Sequence, residues 1–319
     1  MDFQGGTALS TLSETNGRER TARERLWAFQ HHYAPYLFIS PFVILFLVFM
    51  VYPLGRSVVL SFYQTAGPVR ERFVGWENYA FLLHDQYFWF AVANTALLTL
   101  MFLLVQIPTS LGLAIVVNAK VVRFKSFFRF AFFSTHLVGG IFASVLFMQM
   151  LNPRQGLINR SLALFVGHVP EINWLADPVL ARLAILFAWL WLSIGWGMIY
   201  FLAALQAVDG ELYEAADVDG AGPWRKFWNV TLPGIRPVLI FMILIGTIAG
   251  FQLFEIPYIL FPLDSGPDLA GLTIVSYLFT TGWQAGDLGY ASAIGWALVI
   301  LIFAVSLVQF RISFGREHT

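Results

Sequence analysis

The sequence predicts an all-α membrane protein with about six transmembrane helices. Hydrophobic residues fill 58% of its 319 positions and charged residues only 12%, where a soluble protein carries about a quarter charged residues. Mean hydropathy is +0.69. The apolar excess is gathered into runs long enough to cross a hydrocarbon core, which takes about 20 residues per helix. Lysine and arginine also fall unevenly between the loops that separate those runs.

Residues 1–33 are polar, with Arg18, Arg20, Arg23 and Arg25 among Glu14, Glu19 and Glu24. They read as a tail leading to the membrane and not as a signal peptide, because the next apolar run is too long and lacks a small-residue cleavage site. Six spans follow in the membrane domain 34–319, at roughly 35–62, 89–117, 127–151, 182–205, 236–260 and 290–312. Pro41, Pro53 and Pro108 lie inside them, and membrane helices tolerate proline when neighbours re-satisfy the freed carbonyls. Gly139, Gly140, Gly195, Gly197, Gly246, Gly250 and Gly295 are small residues of the kind that let lipid-embedded helices approach closely.

Basic residues set the orientation. The tail, the second and fourth loops and the C-terminus hold thirteen of them: the four tail arginines, Lys120, Arg123, Lys125, Arg129, Arg225, Lys226, Arg236, Arg311 and Arg316. The alternate loops hold five, Arg70, Arg72, Arg154, Arg160 and Arg182, with Arg56 unassigned. Both termini are therefore expected in the cytoplasm, as an even number of spans also requires. With no cysteine there is no disulfide or thiolate metal site, and the six histidines lack metal-ligand spacing. A net charge of zero gives no global field to attract nucleic acid.

The fourth loop, 206–235, is the most informative stretch. Asp209 is placed as an N-cap, Glu211 and Glu214 suit the first turns of a short helix, and Gly220, Gly222 and Pro223 stop it. Alanines permit close approach and glutamates add complementary charge, so the helix suits docking into another protein's groove. An ordinary interfacial helix is the competing reading. The phrase Glu214-Ala215-Ala216, then Gly220, then Leu232-Pro233 resembles the "EAA" loop of ABC importer permeases. Gly75-Trp76-Glu77-Asn78-Tyr79, Asn94-Thr95, Gly156-Leu157-Ile158-Asn159, Trp174-Leu175-Ala176-Asp177-Pro178 and Gly289-Tyr290-Ala291-Ser292-Ala293 resemble the maltose-type carbohydrate uptake branch. The likeness runs from about residue 35 to the C-terminus. Two positions depart from the branch pattern: Asp264-Ser265-Gly266-Pro267 replaces a Thr-Gly-Gly-Pro-like turn, and Glu255 stands where an aspartate often follows phenylalanine.

The resemblance implies an ABC type I importer fold in a bacterial inner membrane. It also implies a second related permease, two ATPase subunits and an extracytoplasmic sugar-binding protein as partners. Residues 211–222 are then the coupling helix, with Glu211, Glu214, Ala215, Ala216, Asp219, Gly220, Gly222, Leu232 and Pro233 as the residues that engage an ATPase. ATP and magnesium would sit on the ATPases, since this chain has no Gly-x-x-x-x-Gly-Lys-Ser/Thr loop.

Sugar sites pair aromatic faces with a few neutral hydrogen-bonding groups. Trp189, Ser193, Trp196 and Tyr200 recur at i, i+4, i+7 and i+11, on one helix face. By resemblance, substrate contacts fall on this helix and the next, where Gly250, Phe251, Gln252, Leu253 and Glu255 lie at comparable depth. Packing against a partner subunit, or a place in the interfacial aromatic belt, competes for the aromatic residues. No acid or base sits mid-helix, which argues against a proton-coupled secondary carrier. No His, Asp or Glu cluster supports a membrane-embedded enzyme. With Arg56 the only cation within a helix, a neutral oligo- or disaccharide is favoured over a glycerol-phosphate-like substrate.

Overall fold

The computed structural model describes residues 22–67, 70–119, 121–262 and 264–314. Arg18, Arg20, Lys120 and Arg316 of the charge count, and most of the tail, lie outside the described residues. The chain divides into two compact units, Met1–Ser57 and Val58–Thr319.

The first unit contains α1 (Ala22–Phe46), a wide turn over Leu47–Val51, and the start of α2 (Tyr52–Leu60). In the wide turn the Tyr52 amide reaches back five residues to the Leu47 carbonyl. Pro53 explains it: proline donates no hydrogen bond and its ring displaces the carbonyl four residues earlier, so the helix widens.

The second unit opens with a hairpin the sequence reading did not anticipate, β1 (Tyr63–Ala66) antiparallel to β2 (Arg70–Phe73) with Tyr63 opposite Phe73. After α3 (Glu77–His84) comes α4 (Gln86–Asn118), capped by Asp85, whose carboxylate accepts from the Tyr87 amide at 2.9 Å. Then follow α5 (Lys125–Ser134), α6 (Gly140–Met150), α7 (Leu157–Val166) and α8 (Pro178–Ala207). Asp177 caps α8 by accepting from the Val179 and Leu180 amides, with Pro178 in the first helical position, where no donor is needed. Past α8 lie α9 (Gly210–Val218), α10 (Pro223–Lys226), the single turn α11 (Leu232–Gly234), α12 (Arg236–Phe251), α13 (Glu255–Leu260), α14 (Ile274–Phe279) and α15 (Leu288–Phe314). A second wide turn, with the Leu232 amide on the Phe227 carbonyl, again immediately precedes a proline, Pro233.

The all-α expectation holds. Among the described residues five helical stretches are long and apolar enough to cross a membrane: Tyr33–Leu60, Gln86–Asn118, Pro178–Ala207, Arg236–Leu260 and Leu288–Ser313. The expected third span, 127–151, is instead a pair bent by 94° between Lys125–Leu137 and Gly140–Met150. The Gly139-Gly140 pair supplies the break, with Val138 and Gly139 in extended backbone. The fifth span is also interrupted. Gln252 and Phe254 leave helical geometry before α13 resumes with Pro257 in its first turn.

Helices α4 and α8 form the spine, with Phe102 stacked on Trp189 at 3.5 Å between ring centroids. At Gly195 an added Cβ would overlap the backbone carbonyl of Phe132, so only glycine lets α8 and α5 approach this closely.

Three asparagines, one each on α3, α4 and α7, fasten non-helical segments to their helices. The amide nitrogen of Asn78 donates to the Ser61 and Tyr63 carbonyls, that of Asn94 to Ala270 and Leu272, and that of Asn159 to Pro153 and Ile172, all at 2.9–3.0 Å. Arg182 Nε donates to Asn94 Oδ1 and Trp174 Nε1 to Asn159 Oδ1. In a low-dielectric interior such carbonyls must be paired, which gives Asn78, Asn94 and Asn159 a physical role. Asp85 does similar work where α4, α14 and α15 meet: its Oδ2 accepts from Tyr277 and Tyr290 hydroxyls at 2.5 and 2.6 Å.

Candidate functional site

The α9 loop and a cavity beside α8 bring together most of the residues singled out by sequence. In the loop Asp209 caps α9 as expected, its carboxylate accepting from the Glu211 amide at 3.0 Å. The helix ends where Gly220 takes a left-handed φ of +69°. There the Gly220 amide donates to Asp217 and the Ala221 amide to Ala216, closing off the last carbonyls. The helix therefore spans Gly210–Val218, shorter than the expected 211–222. Gly222 instead precedes Pro223 as the cap of α10.

Glu211, Glu214, Ala215 and Asp219 are exposed on this short helix and its end, and Ala216 is partly so. Ala215, Ala216 and Asp219 join Leu212, Arg225 and Lys226 around a hollow of about 330 Å³. Lys226, on its wall, pairs with Asp217 of α9. Tyr213 anchors α9 to the chain before α12 through a 3.0 Å hydrogen bond with Thr231. Leu232 and Pro233 sit at the wide turn that leads into α12 and shape the backbone there.

The cavity, of about 600 Å³, lies where both broken spans meet α8. Its walls include Trp189 and Ser193 from α8, Gln252, Leu253 and Glu255 from the break in the fifth span, and His136, Gly139 and Gly140 from the bend in the third. Gln252, Glu255 and His136 are exposed, whereas Trp189 is nearly buried with one face against Phe102. His136 is also held by its Nδ1 near the Leu192 carbonyl at 3.2 Å. One aromatic edge, a hydroxyl, an amide and an imidazole around an open volume suit a polar ring with an apolar face.

Four of the expected path residues fall elsewhere. Trp196 lies behind the wall, stacked on His136 at 6.0 Å between ring centroids, and meets Tyr200 at 4.5 Å with the rings tilted by 50°; Tyr200 continues onto Phe241, farther along α8. Gly250 packs against Thr99 of α4, where an added Cβ would overlap the threonine hydroxyl, and Phe251 is buried in the cluster with Phe88 and Tyr290. The helix face that presents Gln252 turns these two away. Sequence does not single out His136, and it presents Gly139 and Gly140 only as close-packing glycines, although a double glycine inside an apolar run is the signal for a corner. A second cavity of about 630 Å³, between Val105, Phe147, Phe187 and Trp191, is almost wholly hydrocarbon-lined and offers a sugar few hydrogen bonds.

The chain is similar to known proteins over most of its length. Residues 80–314 match the family model for the binding-protein-dependent transport system inner membrane component. The chain is similar to the arabinooligosaccharides transport system permease protein AraP of Bacillus subtilis (strain 168), 39% identical over 88% of each chain. It is also similar to the lactose transport system permease protein LacF of Rhizobium radiobacter, 34% identical over 88% of this chain and 94% of that one. Among solved structures, a chain of a bacterial alginate ABC transporter in complex with an alginate pentasaccharide-bound periplasmic protein shares the fold. Its TM-score is 0.78 at 24% identity, over 93% of this chain and 99% of that one.

Proposed function

The chain belongs to the family of binding-protein-dependent transport system inner membrane components, and from that premise we propose that it forms half of the translocation path for an oligo- or disaccharide. A second, related permease supplies the other half. Two ATPase subunits bind ATP and magnesium, and an extracytoplasmic binding protein delivers the sugar. This chain is the non-catalytic membrane subunit, with both termini and the α9 loop in the cytoplasm of a bacterial cell.

The observation that carries this reading is the exposed, doubly capped α9 with a hollow at its side. Its alanines give close contact to a partner groove, and its acids give that contact a charge signature. Closure of the ATPases on ATP would move α9, and the Tyr213–Thr231 link would carry the motion towards α12, which runs to the cavity. The named relatives transport arabinooligosaccharides and lactose, which supports a saccharide, and glycerol phosphate is the runner-up substrate. In the complex co-expressed with its neighbouring subunits, Glu214→Lys is expected to abolish ATPase co-purification and sugar uptake together. Full assembly and uptake in that variant would refute the coupling role of α9.

A further inference from the structure

Glu255 is the one carboxylate of the cavity, and among the described residues no lysine or arginine lines the same walls. Its place is built by the bend in the third span. A Cβ on Gly140 would overlap Glu255 Oε2, so the carboxylate packs against the first turn of α6. That end of an eleven-residue helix has no side-chain cap of its own, and a helix start favours negative charge. Glu255 is nevertheless exposed to the cavity. The remaining polar groups, Ser193, Gln252 and His136, hydrogen-bond hydroxyls without demanding a charged ligand.

We propose that Glu255 sets the charge selectivity of this cavity, admitting uncharged saccharides and turning away those that carry uronate or phosphate groups. The substrate side of this statement rests on the importer reading above, whereas the field at the cavity does not. A like charge at the wall raises the energy of an entering anion and leaves a neutral sugar unaffected. The solved relative of similar fold imports alginate, an acidic polysaccharide, so the fold itself does not dictate neutrality and a wall residue has room to decide it.

The absence of cysteine from the chain provides the test. Gln252→Cys and, separately, Ser193→Cys are placed in the full-length protein in membrane vesicles. Each is reacted with a cationic trimethylammonium and an anionic sulfonate methanethiosulfonate reagent, and modification is read from the mass of this chain. The cation should react faster than the anion, relative to a free thiol. Adding Glu255→Gln should lower that ratio severalfold, because loss of one charge acts oppositely on the two reagents. Glu255→Asp should retain most of it. An unchanged ratio in Glu255→Gln overturns the proposal, as does failure of both thiols to react, which would show the cavity closed to solutes. Neither result touches ATPase co-purification, so the importer reading stands or falls separately.

Discussion

Gly220 offers a substitution series whose ranking follows from backbone conformation alone. Its φ is +69° and a Cβ there would meet nothing within 4 Å. Collision is therefore excluded, and any penalty comes from holding an L-residue in the left-handed region. That penalty is about 1–2 kcal/mol for alanine, smaller for asparagine, whose side chain tolerates the region, and larger for β-branched valine. Helix α9 is nine residues long, below the roughly 12–15 residues that an isolated helix needs in water. Its Schellman-like end is thus a large part of what keeps it formed. Because about 1.4 kcal/mol changes an equilibrium tenfold, Gly220→Ala should lower the ratio of formed to unformed α9 about five- to thirtyfold and Gly220→Val further, with Gly220→Asn nearest the parent. Hydrogen exchange of the 210–218 amides reads the helix directly, and sugar-stimulated ATPase activity of the assembled transporter reads its consequence. The expected order in both is Gly, Asn, Ala, Val. Equal protection in the valine variant and the parent would refute the reasoning, and so would asparagine falling below alanine.

Two further outcomes concern the frame that holds the site. At Gly195 an added Cβ would run into the Phe132 carbonyl, and backbone cannot yield as a side-chain tip can. Gly195→Ala should cost about 1–3 kcal/mol or more by overpacking, seen as a lowered thermal midpoint in detergent, and Gly112→Ala, with open space at its Cβ, is the control. At Asp85, burial and then the hydrogen bond to the carboxylate hold the Tyr277 phenol above its ordinary value of 10.0. A raised phenol binds its proton more tightly folded than unfolded, so its contribution is complete below pH 10 and declines as pH rises beyond it. This contribution should be flat from pH 7 to 9 and fall above 10. Tyr277→Phe should lose about 1–2 kcal/mol and shed that part of the alkaline decline, and an identical alkaline profile in the variant would contradict the assignment.

The sequence by itself determined the helical class, the positions of the straight spans and the small helix after Asp209. Each of those follows from local chemistry: apolar runs of membrane length, an acid before the first turn, glycine and proline at the stops. Tyr33–Leu60, Gln86–Asn118, Pro178–Ala207 and Leu288–Ser313 lie within a few residues of their sequence-read ranges for that reason. Hydropathy could not show the 94° corner at Gly139, because a bent pair and a straight span have the same composition. Nor could it show the hairpin at Tyr63–Phe73, which is held by distant partners: the Gly67 amide on the Gly286 carbonyl and the Gly289 amide on the Thr65 hydroxyl. The cavity was half legible. Helical spacing aligned Trp189 with Ser193, and it also aligned Trp196 and Tyr200, which the tertiary packing sets behind His136, against each other and against Phe241. Only the meeting of two interrupted helices placed His136 and Gly140 opposite Gln252 and Glu255, because a break redirects side chains in a way that no 3.6-residue period encodes.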